Sequence, residues 1–198
     1  MAQFLETGLR SGPLATGLRL MPWTATLFVV APRAGALVDR FGERPLMVFG
    51  LGAQALGFTW VAMVARPDMP YSSIVAPLVL AGCGVSLAMP AAQNAVMGSV
   101  PAPLVGKASG TFNTLRLLGG TFGIAAAAAA FGTGGGYGSR SSFTNGFGDA
   151  MGACAVLSLA AALVALAVPK KQAARTLSLP ALESEPAMSD RLARAEVK

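Results

Sequence analysis

Residues 35–50 of the chain read GALVDRFGERPLMVFG, and this stretch decides the fold. It places four charged residues in a short turn between two long apolar runs, and these are Asp39, Arg40, Glu43 and Arg44. A charged turn of this length predicts a tight loop that joins two transmembrane helices. Under the positive-inside rule, the arginines of the loop lie in the cytoplasm.

The composition also predicts a membrane protein. Of the 198 residues, 54% are hydrophobic and 12% are charged, and the mean hydropathy is +0.58. Soluble domains carry about 25% charged residues. Here the apolar residues are concentrated in blocks long enough to cross a bilayer, which takes about 20 residues each. The predicted fold class is therefore an all-α integral membrane bundle of about five transmembrane helices.

Five apolar blocks are separated by short polar segments. They cover about residues 14–38, 46–65, 74–97, 104–131 and 150–168. We expect residues 1–13 to be a remnant of a preceding helix or an external loop, because they lack a continuous apolar core. Residues 132–149 are rich in glycine and serine and predict a flexible loop. Residues 169–198 predict a polar cytoplasmic tail.

Proline and small residues inside the blocks predict how the helices bend and pack. Pro22 and Pro32 are expected to kink the first helix, which a helical bundle tolerates. Ala53 and Gly57 lie four residues apart in the second block, a spacing that permits close contact with another helix.

The positions of the cations predict the topology. If Arg40 and Arg44 are cytoplasmic, the alternation of helices also places Lys107, Lys170 and Lys171 inside. The opposite side then receives Arg10, Arg66 and Arg140. The denser cationic clusters thus fall on one side, as the positive-inside rule requires. We expect a multi-pass protein of the cell membrane whose partners include membrane lipid.

The same residues exclude other classes of protein. The net charge is +6, but the cations flank apolar blocks and form no basic stripe, so no nucleic-acid partner is predicted. The chain has no histidine, and Cys83 and Cys154 both lie inside apolar blocks. This argues against an enzyme, a cofactor or a metal site.

Several polar residues lie within the apolar blocks, and each has two interpretations. Arg116 either extends to the cytoplasmic interface or faces a cavity, together with Asn113 one turn earlier. Gln54, Gln93 and Asn94 either form hydrogen bonds between helices or line a pore.

Three motifs resemble the major facilitator superfamily of transporters. The pattern Gly-x-Leu-x-Asp-Arg-x-Gly-x-Arg resembles its loop signature, and is carried by Gly35, Leu37, Asp39, Arg40, Gly42 and Arg44. Residues 3–23 are similar to a stretch of the fourteen-helix drug:proton antiporter branch. Residues 106–125 resemble the penultimate helix of that branch through Ser109, Gly110, Asn113, Arg116, Gly119, Gly120 and Gly123.

The resemblance implies efflux of small amphipathic or lipophilic molecules by alternating access, coupled to protons. It makes the loop of Gly35, Asp39, Arg40, Gly42 and Arg44 part of a cytoplasmic gate. The alternative is that Asp39 only caps the local turn and pairs with Arg40 or Arg44. The polar residues and the glycines at 119, 120 and 123 would line the cavity or pack against helices.

Members of this superfamily have twelve or fourteen helices, whereas the chain offers five. The resemblance therefore implies the C-terminal part of a transporter, whose N-terminal half or partner chain is missing. No Asp or Glu lies inside the five blocks, so a proton-carrying carboxylate is expected in that missing half. The alternative is a non-transporting fragment or a half-transporter that needs a partner. Without a second bundle, the glycine-rich faces at Gly50–Gly57 and Gly106–Gly123 are expected to remain partly unpaired.

Overall fold

A computed structural model describes residues 12–67 and 69–168, and within them it contains long α-helices and no strand. The helices are α1 (Pro13–Phe41), α2 (Glu43–Val64), α3 (Ser72–Met97), α4 (Val105–Gly134) and α5 (Arg140–Leu166). A 3-10 turn, Ala102–Leu104, precedes α4. The predicted all-α membrane bundle is confirmed. The expectations for residues 1–11 and for the tail from residue 169 lie outside the described residues.

Four of these helices, α2 to α5, are each long and apolar enough to cross a membrane. α1 makes a fifth span if its two parts count as one, because it bends by 49° between Val30 and Pro32. Proline has no N–H to donate and its ring clashes with the preceding turn, so the bend falls where Pro32 interrupts the helix. The Arg33 guanidinium donates a hydrogen bond to the Val29 carbonyl oxygen beside the bend, at 2.7 Å.

A close helix contact joins α2 to α3 through glycines. A Cβ on Gly50 would lie 2.6 Å from the Gly84 carbonyl oxygen. A Cβ on Gly57 would lie 2.8 Å from the Pro77 carbonyl oxygen. Gly50 and Gly57 are seven residues apart, so two helical turns bring them to one face. The sequence predicted Gly57 at this contact but paired it with Ala53, which is only half-buried.

α5 begins ten residues before the apolar block that predicted it. The Ser139 side-chain oxygen accepts a hydrogen bond from the Ser142 N–H at 3.1 Å, which caps the helix. Phe143 and Phe147 are buried in a cluster with Val61. The expectation of a flexible loop was therefore wrong for residues 140–149, because the aromatic side chains anchor this turn-forming sequence to the bundle.

Two apolar clusters lie at opposite ends of the bundle. The cluster near the α2–α3 link consists of Val61, Met69, Ile74, Leu78, Phe143 and Phe147. The cluster near the α1–α2 link consists of Val38, Leu46, Met47, Ala91 and Ala165. Both draw residues from α2, α3 and α5, so these three helices form the packed centre. α1 packs mainly on α3, and α4 packs mainly on α5.

Candidate gating loop and transport site

The predicted gating loop is a single residue long. α1 ends at Phe41 and α2 begins at Glu43, so only Gly42 separates them. Gly42 has φ 85°, a left-handed value that side chains with a Cβ rarely adopt, which explains why the signature places glycine here. Its N–H donates to the Val38 carbonyl oxygen at 2.8 Å, closing the last turn of α1.

Asp39 does not pair with the arginines of the loop in the described part of the chain. Asp39 and Arg40 are exposed on the last turn of α1, and the Arg40 guanidinium lies over the Phe41 ring at 5.6 Å. Within residues 12–67 and 69–168, Asp39 forms no hydrogen bond or ion pair with Arg40 or Arg44. This weighs against the alternative in which Asp39 only caps its own turn, and it leaves the carboxylate available to another group.

Glu43 behaves differently from the neighbouring charges, which the sequence did not predict. Its side chain is only 6% exposed and begins α2. A carboxylate in the first turn of a helix is stabilised by the unpaired N–H groups there. Glu43 and Arg44 line a hollow of about 560 Å³ between the loop and Leu166 of α5. Gly35 lies about two turns before Gly42 in α1 with open space around it, so no described contact requires glycine there.

Several polar residues of α3 and α4 form one shallow site. Gln93, Asn113 and Arg116 line a hollow of about 380 Å³ between the two helices, together with Ser109, Gly110 and Phe112. One Arg116 guanidinium N–H group donates to the Asn113 side-chain oxygen at 3.1 Å. Another faces the sulfur of Met89 at 3.9 Å. The structure thus brings together three of the predicted site residues.

Two predicted site residues lie elsewhere. Asn94 is exposed on α3 but does not line this hollow, and its carbonyl oxygen accepts the Gly98 N–H at 2.8 Å. Gln54 is half-buried on α2, where its backbone lies against Gly84. Gln54 therefore belongs to the α2–α3 contact rather than to the polar hollow.

α4 is the most exposed helix of the described residues. None of its residues is buried, although it is apolar enough to span a membrane. A Cβ added at any of its glycines at 106, 110, 119, 120 and 123 would meet nothing within 4 Å. The expectation of unpaired glycine faces is therefore confirmed for Gly106–Gly123. The Gly50–Gly57 face is also partly unpaired, since α3 closes Gly50 and Gly57 whereas a Cβ at Gly52 would meet nothing within 4 Å.

Comparison with known proteins identifies the family. The family model of the Major Facilitator Superfamily matches residues 2–191, nearly the whole chain. This chain belongs to the major facilitator superfamily. The match agrees with the loop signature and with the membrane-capable helices α2 to α5. Membership makes the chain a multi-pass cell-membrane protein of a transporter family, not an enzyme.

The relatives include an uncharacterized transporter, a multidrug resistance protein and an export protein. The chain is 36% identical over 124 residues to the uncharacterized transporter YebQ of Escherichia coli, covering 62% of the chain and 26% of that protein. It is 32% identical over 123 residues to the multidrug resistance protein Stp of Mycobacterium tuberculosis, covering 62% and 22%. It is 34% identical over 158 residues to the cephamycin export protein CmcT of Amycolatopsis lactamdurans, covering 79% and 29%.

In each of these three matches, the aligned part of the chain spans less than a third of the relative's own length. No solved structure significantly matches this member of the superfamily.

Proposed function

We propose that this chain forms the C-terminal part of a multidrug-type efflux transporter, which exports small amphipathic or lipophilic molecules by alternating access coupled to protons. The proposal is supported by the family and by relatives named for multidrug resistance and drug export. In alternating access, two bundles rock against each other and open a central site to each side in turn.

The uncovered face of α4 carries this proposal. Arg116 is the twelfth residue of a 30-residue helix, about 16 Å from its start at 1.5 Å per residue. The helix is about 45 Å long at that rise, so centring it on a hydrocarbon core of about 30 Å places Arg116 about 9 Å inside the core. A cation there is unstable in lipid and requires a water-filled cavity or protein around it. We therefore assign the α4 face to the central cavity, where a second bundle covers it.

Arg116 also needs a counter-charge from that second bundle. Among the described residues, Asp39 and Glu43 lie at one end of the bundle and Asp149 lies towards the other. None is at the depth of Arg116 on α4. A carboxylate of the other bundle would supply both the counter-charge and the proton-carrying group of an antiporter. Protonation of that carboxylate would weaken its attraction to Arg116, which couples the proton to the position of the bundles.

The Asp39 loop acts at the cytoplasmic gate in this proposal. Asp39 is exposed and has no described partner, so it is available to dock against the second bundle when the cytoplasmic side closes. A helix N-terminus of that bundle would favour the carboxylate through its unpaired N–H groups. Gly42 permits the abrupt reversal that holds Asp39 at the end of α1.

The test compares the chain alone with the chain joined to the N-terminal part of Stp. Both are expressed in cells that lack their main efflux pumps, and export of a lipophilic dye is measured. We expect export by the fusion and none by the chain alone, because one bundle cannot alternate access. Dissipation of the proton gradient should stop export by the fusion.

Other outcomes separate the alternatives. Substrate flux by the monomeric chain in proteoliposomes would overturn the proposal. Flux that requires a cross-linked homodimer would favour a half-transporter subunit. A fusion that folds, inserts and binds the dye without exporting it would favour a non-transporting fragment.

A further inference from the structure

A second site lies between α2 and α5, and it shares no residue with the polar hollow of α3 and α4. α2 and α5 enclose a groove of about 1100 Å³ that has no part in the proposed cavity. Its walls are one face of each helix: Gly52, Leu56, Thr59 and Met63 on α2, and Asn145, Asp149, Gly152, Val156 and Leu159 on α5. A Cβ on Gly52 or on Gly152 would meet nothing within 4 Å, so these glycines leave the groove open to the surroundings.

The groove is polar at one end and apolar at the other. Asn145 and Asp149 lie at the end that contains Ala65, opposite to the Asp39 loop, whereas Leu56 and Leu159 line the inner part. From Gly52 to Ala65 the groove runs about 20 Å along α2, at 1.5 Å per residue. The hydrocarbon of one bilayer leaflet is about 15 Å thick. The groove therefore matches one leaflet, with its polar end at the interface.

Asp149 provides a charge at the polar end. Its carboxylate is exposed, lies against Gly134 at the end of α4, and has no hydrogen-bond or ion-pair partner within residues 12–67 and 69–168. Thr144 beside it already donates its hydroxyl to the Arg140 carbonyl oxygen at 2.9 Å. Arg66 is exposed and lines the adjoining hollow, which shares Met63 with the groove. The polar end of the groove thus has a negative group, Asp149, and a positive group, Arg66, beside it.

We propose that this groove is a binding site for a phospholipid with an ethanolamine headgroup. One acyl chain lies between α2 and α5 along Leu56 and Leu159, where it fills the groove and packs against the apolar side chains of both helices. The primary ammonium of the headgroup donates hydrogen bonds to the Asp149 carboxylate. The lipid phosphate lies on the side of Arg66.

The charged groups at the polar end of the groove favour one lipid headgroup over others. Choline carries a charge of the same sign but has no N–H to donate, so it forms only the weaker electrostatic contact with Asp149. A phosphatidylglycerol headgroup is anionic and is repelled by the carboxylate. Because Asp149 is exposed, the preference is modest, about two- to fivefold for ethanolamine over choline, as for an exposed ion pair.

The experiment uses the full chain in nanodiscs that contain equal amounts of ethanolamine, choline and glycerol phospholipids with identical acyl chains. Lipids that stay bound after transfer to detergent are counted by native mass spectrometry. We expect the ethanolamine lipid to be enriched about two- to fivefold. Asp149→Asn should bring ethanolamine and choline lipids to equal retention, and Asp149→Glu should keep the preference.

Steric variants test the acyl-chain part of the site. Gly152→Leu should reduce retention of all three lipids, because a Cβ at Gly152 would meet nothing within 4 Å and the new side chain enters the open groove. Gly17→Leu is the matched control, since Gly17 also has nothing within 4 Å but lies on α1 outside the groove. Circular dichroism of each variant confirms that its helices are intact.

Two results would overturn the site. One is an ethanolamine preference that survives Asp149→Asn with lipid retention unaffected by Gly152→Leu. The other is stoichiometric, Asp149-dependent binding of tetraphenylphosphonium that displaces no lipid. This result would make the groove a site for lipophilic cations. Neither result bears on transport through the α4 face, so the two proposals stand or fall separately.

Discussion

Replacement of Gly50 by alanine should separate α2 from α3. The new Cβ would lie 2.6 Å from the Gly84 carbonyl oxygen, 2.8 Å from the Ala88 nitrogen and 2.9 Å from the Ala88 Cβ. Two of these atoms belong to the backbone and cannot rotate away. Non-bonded heavy atoms prefer about 3.5 Å or more, so the helices must move apart by roughly 1 Å.

The expected magnitude follows from two opposing effects. Overpacking of a close contact costs about 1–3 kcal/mol, and immobile backbone neighbours favour the upper part of that range. Alanine regains up to about 1 kcal/mol over glycine through its helix propensity. We therefore expect Gly50→Ala to lower the free energy of unfolding by about 1–2 kcal/mol.

Gly120→Ala on α4 is the matched control, because a Cβ at Gly120 would meet nothing within 4 Å. It should leave the free energy of unfolding unchanged or raise it by up to about 1 kcal/mol. The two variants are compared by reversible unfolding in mixed micelles of dodecyl maltoside and sodium dodecyl sulfate, followed by circular dichroism. If both variants shift the unfolding midpoint equally in the same direction, the close α2–α3 contact contributes nothing to stability and the reasoning fails.

Three further predictions concern topology and transport. With Cys83 and Cys154 replaced by alanine, Asp39→Cys and Ser141→Cys should react with impermeant thiol reagents from opposite sides, and labelling from one side would refute the topology. In the fusion with Stp, Asp39→Asn should lower turnover by about tenfold with little change in substrate affinity; lost binding at normal turnover would contradict a gate. Arg116→Gln should lower export by about tenfold or more while Arg116→Lys retains part of it, because the charge is needed inside the hydrocarbon core; full activity of Arg116→Gln would place Arg116 outside the coupling site.

The helices were predictable where hydrophobicity alone decides them. Long uncharged runs predict α2 and α3 closely, because a bilayer requires continuous apolar length. The start of α5 was missed, because residues 140–149 look like a loop in composition. Their helix depends on Phe143 and Phe147 packing against Val61, a contact between residues distant in sequence.

The site was predictable only in part, for a related reason. Asn113 and Arg116 share a helical face, so their contact follows from three-residue spacing. Gln93 joins them because of the way α3 packs against α4. The spacing of residues within one helix cannot predict that packing. The burial of Glu43 was missed because its charged neighbours Arg40 and Arg44 suggested a wholly solvated turn.

Glycine shows most clearly what a sequence leaves undecided. Gly50 and Gly120 both lie in apolar blocks rich in small residues, and composition treats them alike. In the structure the first is closed by the backbone of α3, whereas the second is open. A glycine face becomes a contact only where another helix reaches it. α4 carries both the open glycines and Arg116, and no described residue covers that glycine face or supplies a counter-charge beside Arg116. One partner bundle would satisfy both needs.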